Sequence, residues 1–200
     1  MTAEHAAAER TVEWTEGRWT TTPTAVVEST DGLLVTATEG SDAWRVTSYG
    51  FVHDTEHALV TTLDEGRAVE VTFSAEFSGE FDQAGVFVRA AEDVWIKAGV
   101  EYADGALGVG AVVTNGVSDW SIGPVPEWAG RPITVRASRS GDAVTIRARA
   151  GDEPFRLLRV APFPEAAAVE AGPFCCAPTR SGLEVLFRSW VETGADASLH

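Results

Sequence analysis

The sequence predicts an all-β fold of two large antiparallel sheets packed face to face. Three observations predict it. Apolar and polar residues alternate with a period of two over short runs, most clearly in Ala68–Phe77, where Val69, Val71, Phe73, Ala75 and Phe77 point one way. Turn signals such as Asn115-Gly116 recur at the short spacing typical of sandwiches and barrels. No amphipathic stretch keeps a helical period. Roughly twelve to fourteen short strands can be counted, a number that suits two sheets. There is no linker, low-complexity tract or internal repeat, so the 200 residues read as one domain. Its core runs from about residue 12 to about residue 192.

The elements follow in order. Thr11–Trp19 carries Trp14 and Trp19 and leads into the first strand. Thr24–Glu28 and Gly32–Thr38 are strands around a turn at Ser29–Gly32. Gly40–Asp42 is a turn, followed by Ala43–Phe51 with Trp44, Tyr49 and Phe51. Ala58–Leu63 and Ala68–Phe77 are strands separated by a turn at Asp64–Gly66. Phe81–Arg89 and Val94–Tyr102 form a hairpin turning at Ala90–Asp93. Leu107–Thr114 and Val117–Ile122 form another around Asn115-Gly116. Gly123–Arg131 is a loop with Pro124, Pro126 and Trp128. Pro132–Ser138 and Ala143–Ala150 pair across Arg139–Asp142. Phe155–Val160 is a further strand, Ala161–Ala167 a proline-containing loop, and Val169–Cys176 and Leu183–Glu192 close the domain. The last eight residues are expected to fray.

The Phe81–Tyr102 hairpin organises the rest. One face of it is small and apolar: Ala84, Val86 and Val88 on the first strand, and Ile96, Ala98 and Val100 on the second. The other carries Gln83, Gly85, Phe87 and Arg89 opposite Trp95, Lys97, Gly99 and Glu101. An amide, two cations, a carboxylate and two aromatic rings on one sheet face make a candidate site. The bland alternative is a solvated face with cross-strand ion pairs, each contributing roughly 0.2–1 kcal/mol.

Composition excludes several classes. A formal net charge of −15 and a pI near 4.5 argue against nucleic acid and against anionic membrane surfaces. No apolar run approaches the roughly 18 residues of a membrane span. The N-terminal MTAEHAAAERTVEW has no basic segment followed by an apolar one, so no signal peptide is expected. The two cysteines, Cys175 and Cys176, are adjacent, a spacing that disfavours a structural disulfide between them. Free thiols and no export signal together point to the cytoplasm.

The ordered set Tyr49-Gly50-Phe51, Asp82–Arg89, Trp95–Tyr102, Ala111–Thr114, Ser118–Ser121, Ile133–Arg136 and Ala171–Pro178 closely resembles the DUF1349 family, over roughly residues 12 to 192. The resemblance implies a concanavalin A-like jelly-roll sandwich, with the polar hairpin face on its concave sheet. The sequence departs from the family pattern at His53, where a basic residue such as Arg is common. A shared fold carries no function over by itself.

Gln83, Arg89, Lys97 and Glu101 are expected to hydrogen-bond a ligand, with Trp95 and Trp120 stacking on it and Asp119 reaching in from the neighbouring strand. Trp120 also reads as a core tryptophan and Asp119 as a turn-stabilising one. Trp44 and Trp190 carry the same two readings, core or groove rim; the parity of Trp190, opposite to Leu183, Val185 and Phe187, favours the groove. Glycoside hydrolysis needs two carboxyl groups, roughly 5–5.5 Å or 6.5–9.5 Å apart. Glu101 is the only carboxylate on the marked hairpin face, and between Arg89 and Lys97 it is expected to stay ionised. That suits a hydrogen-bond acceptor rather than a general acid. His53, Asp54 and His57 lack a third imidazole and a thiolate spacing, so they read as surface, hydrogen-bonding residues rather than metal ligands. No cofactor motif is found. The reading is non-catalytic binding of a small polar ligand, a carbohydrate or similar metabolite. A regulatory, protein-binding module and a sugar-active enzyme remain the alternatives.

Overall fold

The computed structural model describes residues 9–165 and 168–199. The start of the expected signal-free N-terminus, two residues of the Ala161–Ala167 loop and the final residue lie outside the described residues. Strands β1 (Arg10–Thr11) and β2 (Arg18–Trp19) flank a 3-10 turn at Trp14–Glu16. β3 (Ala25–Ser29) and β4 (Gly32–Thr36) form the first hairpin, and β5 (Ala43–Arg45) and β6 (Val52–Asp54) a second, smaller one. β7 (His57–Thr62) and β8 (Arg67–Ala75) follow. β9 (Gln83–Ala91), β10 (Val94–Ala103), β11 (Ala106–Asn115) and β12 (Val117–Pro124) make a four-stranded meander. After a 3-10 turn at Pro126–Trp128 come β13 (Ile133–Ser140), β14 (Ala143–Ala150), β15 (Arg156–Pro162), β16 (Glu170–Cys176) and β17 (Glu184–Gly194).

Two antiparallel sheets result. One runs β15-β14-β13-β8-β17-β4-β3, with β1 added to β17; the other runs β12-β11-β10-β9-β16-β7-β2. The all-β, two-sheet expectation holds. The strand count exceeds the estimate because two-residue and three-residue strands leave no periodic trace. No helix among the described residues is long and apolar enough to cross a membrane.

The core lies between the sheets, and period-two alternation put it there. Val69, Val71 and Phe73 of β8, Val135 and Ala137 of β13, and Val185 and Phe187 of β17 face Ala84, Val86, Val88, Ile96, Ala98 and Val100 of the meander, all buried. Burying each larger side chain contributes roughly 1.5–3 kcal/mol. Trp190 corrects an expectation: it is buried in this core, its ring 6.3 Å from that of Trp14. A β-bulge between Phe187 and Ser189 inserts one residue, so the parity after it reverses and Trp190 joins Phe187 inside.

The C-terminal fraying is also overturned for the described residues. β17 continues to Gly194, and Asp196 accepts from Arg136 Nε at 2.8 Å and Arg147 Nε at 3.0 Å. Its backbone N–H donates to Ser138 Oγ at 2.8 Å. Two arginines on the outward face of β13 and β14 thus tie the tail down.

Both thiols are free and fully buried, and burial pushes the Cys175 pKa up to about 12. His57 is a buried residue at the start of β7, not a surface one. Its Nε2 accepts from the Thr38 N–H, its Nδ1 meets the Thr21 carbonyl, and burial pushes its pKa down. It is a neutral hydrogen-bonding joint between loops.

Candidate functional site

The outer face of the β9–β10 hairpin is as the alternation predicts. Gln83 lies across from Glu101, Gly85 from Gly99, Phe87 from Lys97 and Arg89 from Trp95. The β5–β6 hairpin arches over this face as a flap. The face therefore has two halves.

One half is sealed. Phe87 and Trp95 stack at 5.5 Å, Phe174 packs at 6.1 Å from Phe87, and Trp44 of the flap joins them with Val60, Val112 and Cys176 in a second, smaller core. Trp95 is 2% exposed, so it offers no stacking surface, contrary to expectation. Arg89 lies at the strand end beyond this aromatic plug, where its charge partly opposes the rise that burial imposes on the Glu56 pKa, and does not line the cleft.

The other half is open: a cleft of ≈ 420 Å³ between flap and sheet. Its floor holds Gln83, Lys97 and Glu101, as the sequence predicts. A strip without side chains runs between Lys97 and Glu101, because Gly85, Gly99 and Gly110 stand side by side across β9, β10 and β11. A Cβ on Gly85 would collide with the Ala98 carbonyl, and one on Gly110 with that of Ser121. Trp120, paired with Val112 on β12, turns to the same face as Lys97 and is 41% exposed at the rim. Asp119, one residue earlier, points the other way and pairs with Arg159 at 2.9 Å. It takes no part in the cleft, as the alternation along β12 requires.

Asp42 is the residue that sequence reading missed. It sits in the loop before β5, and its Oδ1 accepts from Lys97 Nζ at 2.7 Å, Gln83 Nε2 at 3.3 Å and its neighbour Ala43 N at 2.8 Å. Burial works against the Lys97 ammonium, but the Asp42 carboxylate in contact overrides it and the pKa is raised. The flap also supplies the opposing wall, of which Trp44 was read as core or rim and Tyr49 and Phe51 were given no site role. Trp44, Tyr49, Phe51 and His53 form a chain of ring contacts along the flap at 5.6, 5.3 and 4.7 Å. The sequence signals were the Tyr49-Gly50-Phe51 motif and the crowding of four rings into a stretch interrupted by turn residues. The flap tip is tightly turned, with positive φ at Val46, Ser48 and Gly50. Its stem is anchored by Arg45 N donating to Ser118 Oγ at 2.9 Å and by the Arg45–Asp54 ion pair at 2.9 Å.

Phe81 completes the lining in a backbone conformation unusual for an aromatic residue, φ +64°. The turn that holds it is built on Asp82, fully buried, which accepts from the Ser78 and Gly79 N–H groups and pairs with Arg180 at 2.6 Å.

Glu101 overturns the expected charge state. Among the described residues no donor bonds its carboxyl. Burial pushes its pKa up to about 7, and Asp42 and Glu80 add to that push while Lys97 opposes it. Burial is the chief cause, and Lys97 opposes it only in part. Its ammonium is in direct contact with Asp42, and Arg89 is not nearby, so the two-cation clamp around Glu101 does not form.

Residues 19–193 match the family described as a protein of unknown function, DUF1349. The chain is 32% identical over 181 residues to Regulation of enolase protein 1 of Saccharomyces cerevisiae, covering 90% of this chain and 91% of the yeast protein. It is similar to the crystal structure of a functionally unknown S. cerevisiae protein at a TM-score of 0.87 and 31% identity, covering 93% of this chain and all of that one. A GH43 protein of Bacillus licheniformis matches at a TM-score of 0.73 but 12% identity, over 94% of this chain and 38% of that one. At that identity the likeness is one of fold.

Proposed function

The chain belongs to the DUF1349 family, and for this member we propose that the flap cleft binds a small carbohydrate without chemical conversion. The observation that carries the reading is the pairing of exposed ring faces with a polar floor in one cavity. Trp120, Tyr49 and Phe51 supply flat apolar surface. Lys97 makes one hydrogen bond among the described residues, to Asp42, and Glu101 makes none, so the floor offers both donors and an acceptor. A sugar hydroxyl is donor and acceptor at once, and a pyranose has an apolar C–H face to lay on an indole. The volume of ≈ 420 Å³ lies at the lower end of ordinary ligand clefts, roughly 300–1,000 Å³, and suits one or two sugar rings rather than a polymer. Asp42 Oδ1 already accepts three donors, which makes it a structural counter-charge rather than a nucleophile.

Calorimetric titration with a panel of mono- and disaccharides tests this. At least one sugar should bind, and Trp120→Ala should weaken it by about tenfold or more. Absence of binding across the panel, or an unchanged affinity in Trp120→Ala, would count against the reading.

A second reading is favoured by one observation. The flap tip exposes Val46, Tyr49, Phe51 and Val52 together, an apolar patch that suits a protein partner. The yeast relative is named for regulation of enolase. Co-elution of the chain with the enolase of its own organism, lost in Tyr49→Ser/Phe51→Ser, would support it; separate elution would end it.

A further inference from the structure

The cleft is not electrically neutral. Two carboxyl groups, Asp42 and Glu101, line it against one ammonium, Lys97, and that ammonium is in contact with Asp42. The pair cancels, leaving Glu101. Glu101 is half-buried, burial pushes its pKa up, and no donor among the described residues bonds its carboxyl. A partly buried carboxylate is costly unless a cation or donor meets it. The rings of Trp120, Phe81, Trp44, Tyr49 and Phe51 line the same cleft. Their π faces attract cations, most strongly where water is excluded.

Resting on the carbohydrate reading above, we propose that the cleft selects a sugar bearing a protonated amine, which pairs with Glu101 while its ring lies against the aromatic wall. A neutral sugar can only hydrogen-bond Glu101, and an acidic one is repelled by it. The charged and titratable groups that bear on Glu101 are Lys97 on its own strand, Asp42 from the loop before β5, and Glu80 from the turn before β9. His53 of β6 lines the same cleft. Lys97 is spent on Asp42, so the unmatched charge facing the ligand is negative. Because burial holds the Glu101 proton up to about pH 7, an incoming ammonium must displace it, and binding releases a proton.

The experiment titrates the protein with glucosamine, galactosamine and mannosamine, each against its neutral parent sugar and its N-acetyl form. At pH 7, where the sugar amine is still largely protonated and Glu101 is partly ionised, one amine should bind at least about tenfold tighter than both neutral counterparts. The advantage should shrink at pH 5.5 and vanish in Glu101→Gln. Titration at pH 6.5 in two buffers of different ionisation enthalpy should show net proton release for the amine and none for the parent sugar. That measurement uses the unmodified chain and stands even if the variant folds poorly. Neutral sugars binding as tightly as the amine, or amine binding without proton release, would overturn the amine preference and leave carbohydrate binding intact. No binding by any member would overturn both.

Discussion

The two halves of the outer hairpin face share strands and parity, yet one became core and the other a cleft. At the Phe87–Trp95 end the flap brings Trp44 down onto the stack, and every ring finds partners. At the Glu101 end the same flap stands off, and Trp120, Tyr49 and Phe51 keep exposed faces above a polar floor. Side-chain chemistry decides the difference. Apolar rings can be sealed at a gain, whereas Lys97 and Glu101 can be covered only where each charge is met. Lys97 is met by Asp42. Glu101 is not, and the cleft opens where it stands.

The largest expected effect breaks the sealed half. Trp95→Ala should destabilise the fold by about 3–5 kcal/mol in denaturant titration, because a fully buried indole leaves a cavity that rigid strands cannot close. Trp120→Ala, at the open end, should cost under about 1 kcal/mol and act on ligand affinity instead. Equal losses would mean that the two halves are packed alike.

Next in size is the joint between the halves. Asp42→Ala should cost about 3 kcal/mol, since it strands the buried Lys97 ammonium without its counter-charge. Adding Lys97→Met should recover most of that loss. A double variant no more stable than Asp42→Ala would show that the loop before β5, rather than the charge, was damaged.

The hairpin parity, the apolar core face and the cleft positions of Gln83, Lys97, Glu101 and Trp120 were all legible, because strand alternation is a local rule. What was not legible depended on chain brought from elsewhere. Asp42 lies 55 residues from Lys97 in sequence and reaches it only when the flap folds over. The raised pKa of Glu101 follows chiefly from its burial beneath the flap, with Asp42 adding to it, so it was misread for the same reason. Trp190 was misread because a bulge after Phe187 shifts parity without any sequence mark. Trp95 was placed on the correct face, but nothing in its own strand announces that Trp44 will cover it.

Glu101→Gln sharpens the comparison through pH. The folded protein holds the Glu101 proton to about pH 7, whereas an unfolded chain releases it near the usual 4.5. Between those values the folded state binds more protons, so stability falls as pH rises through that window. Glutamine removes the penalty. The variant should match the parent near pH 4 and be more stable by about 1–3 kcal/mol at pH 8. A gain of equal size at both pH values would show that packing, not charge, limits the site.

The smallest effect tests parity itself. Asp119 and Trp120 are neighbours in sequence, and β12 sends them to opposite faces, Asp119 toward Arg159 and Trp120 toward the cleft. The Asp119 side chain is mostly exposed, so its ion pair should contribute under about 1 kcal/mol and fade with added salt. Asp119→Ala should therefore leave sugar affinity unchanged within about twofold, while Trp120→Ala in the same titration loses about tenfold. An affinity loss in Asp119→Ala comparable to that in Trp120→Ala would require β12 to be turned or shifted by one residue in solution. Such a shift would move Trp120 off the rim and exchange the two faces of the strand.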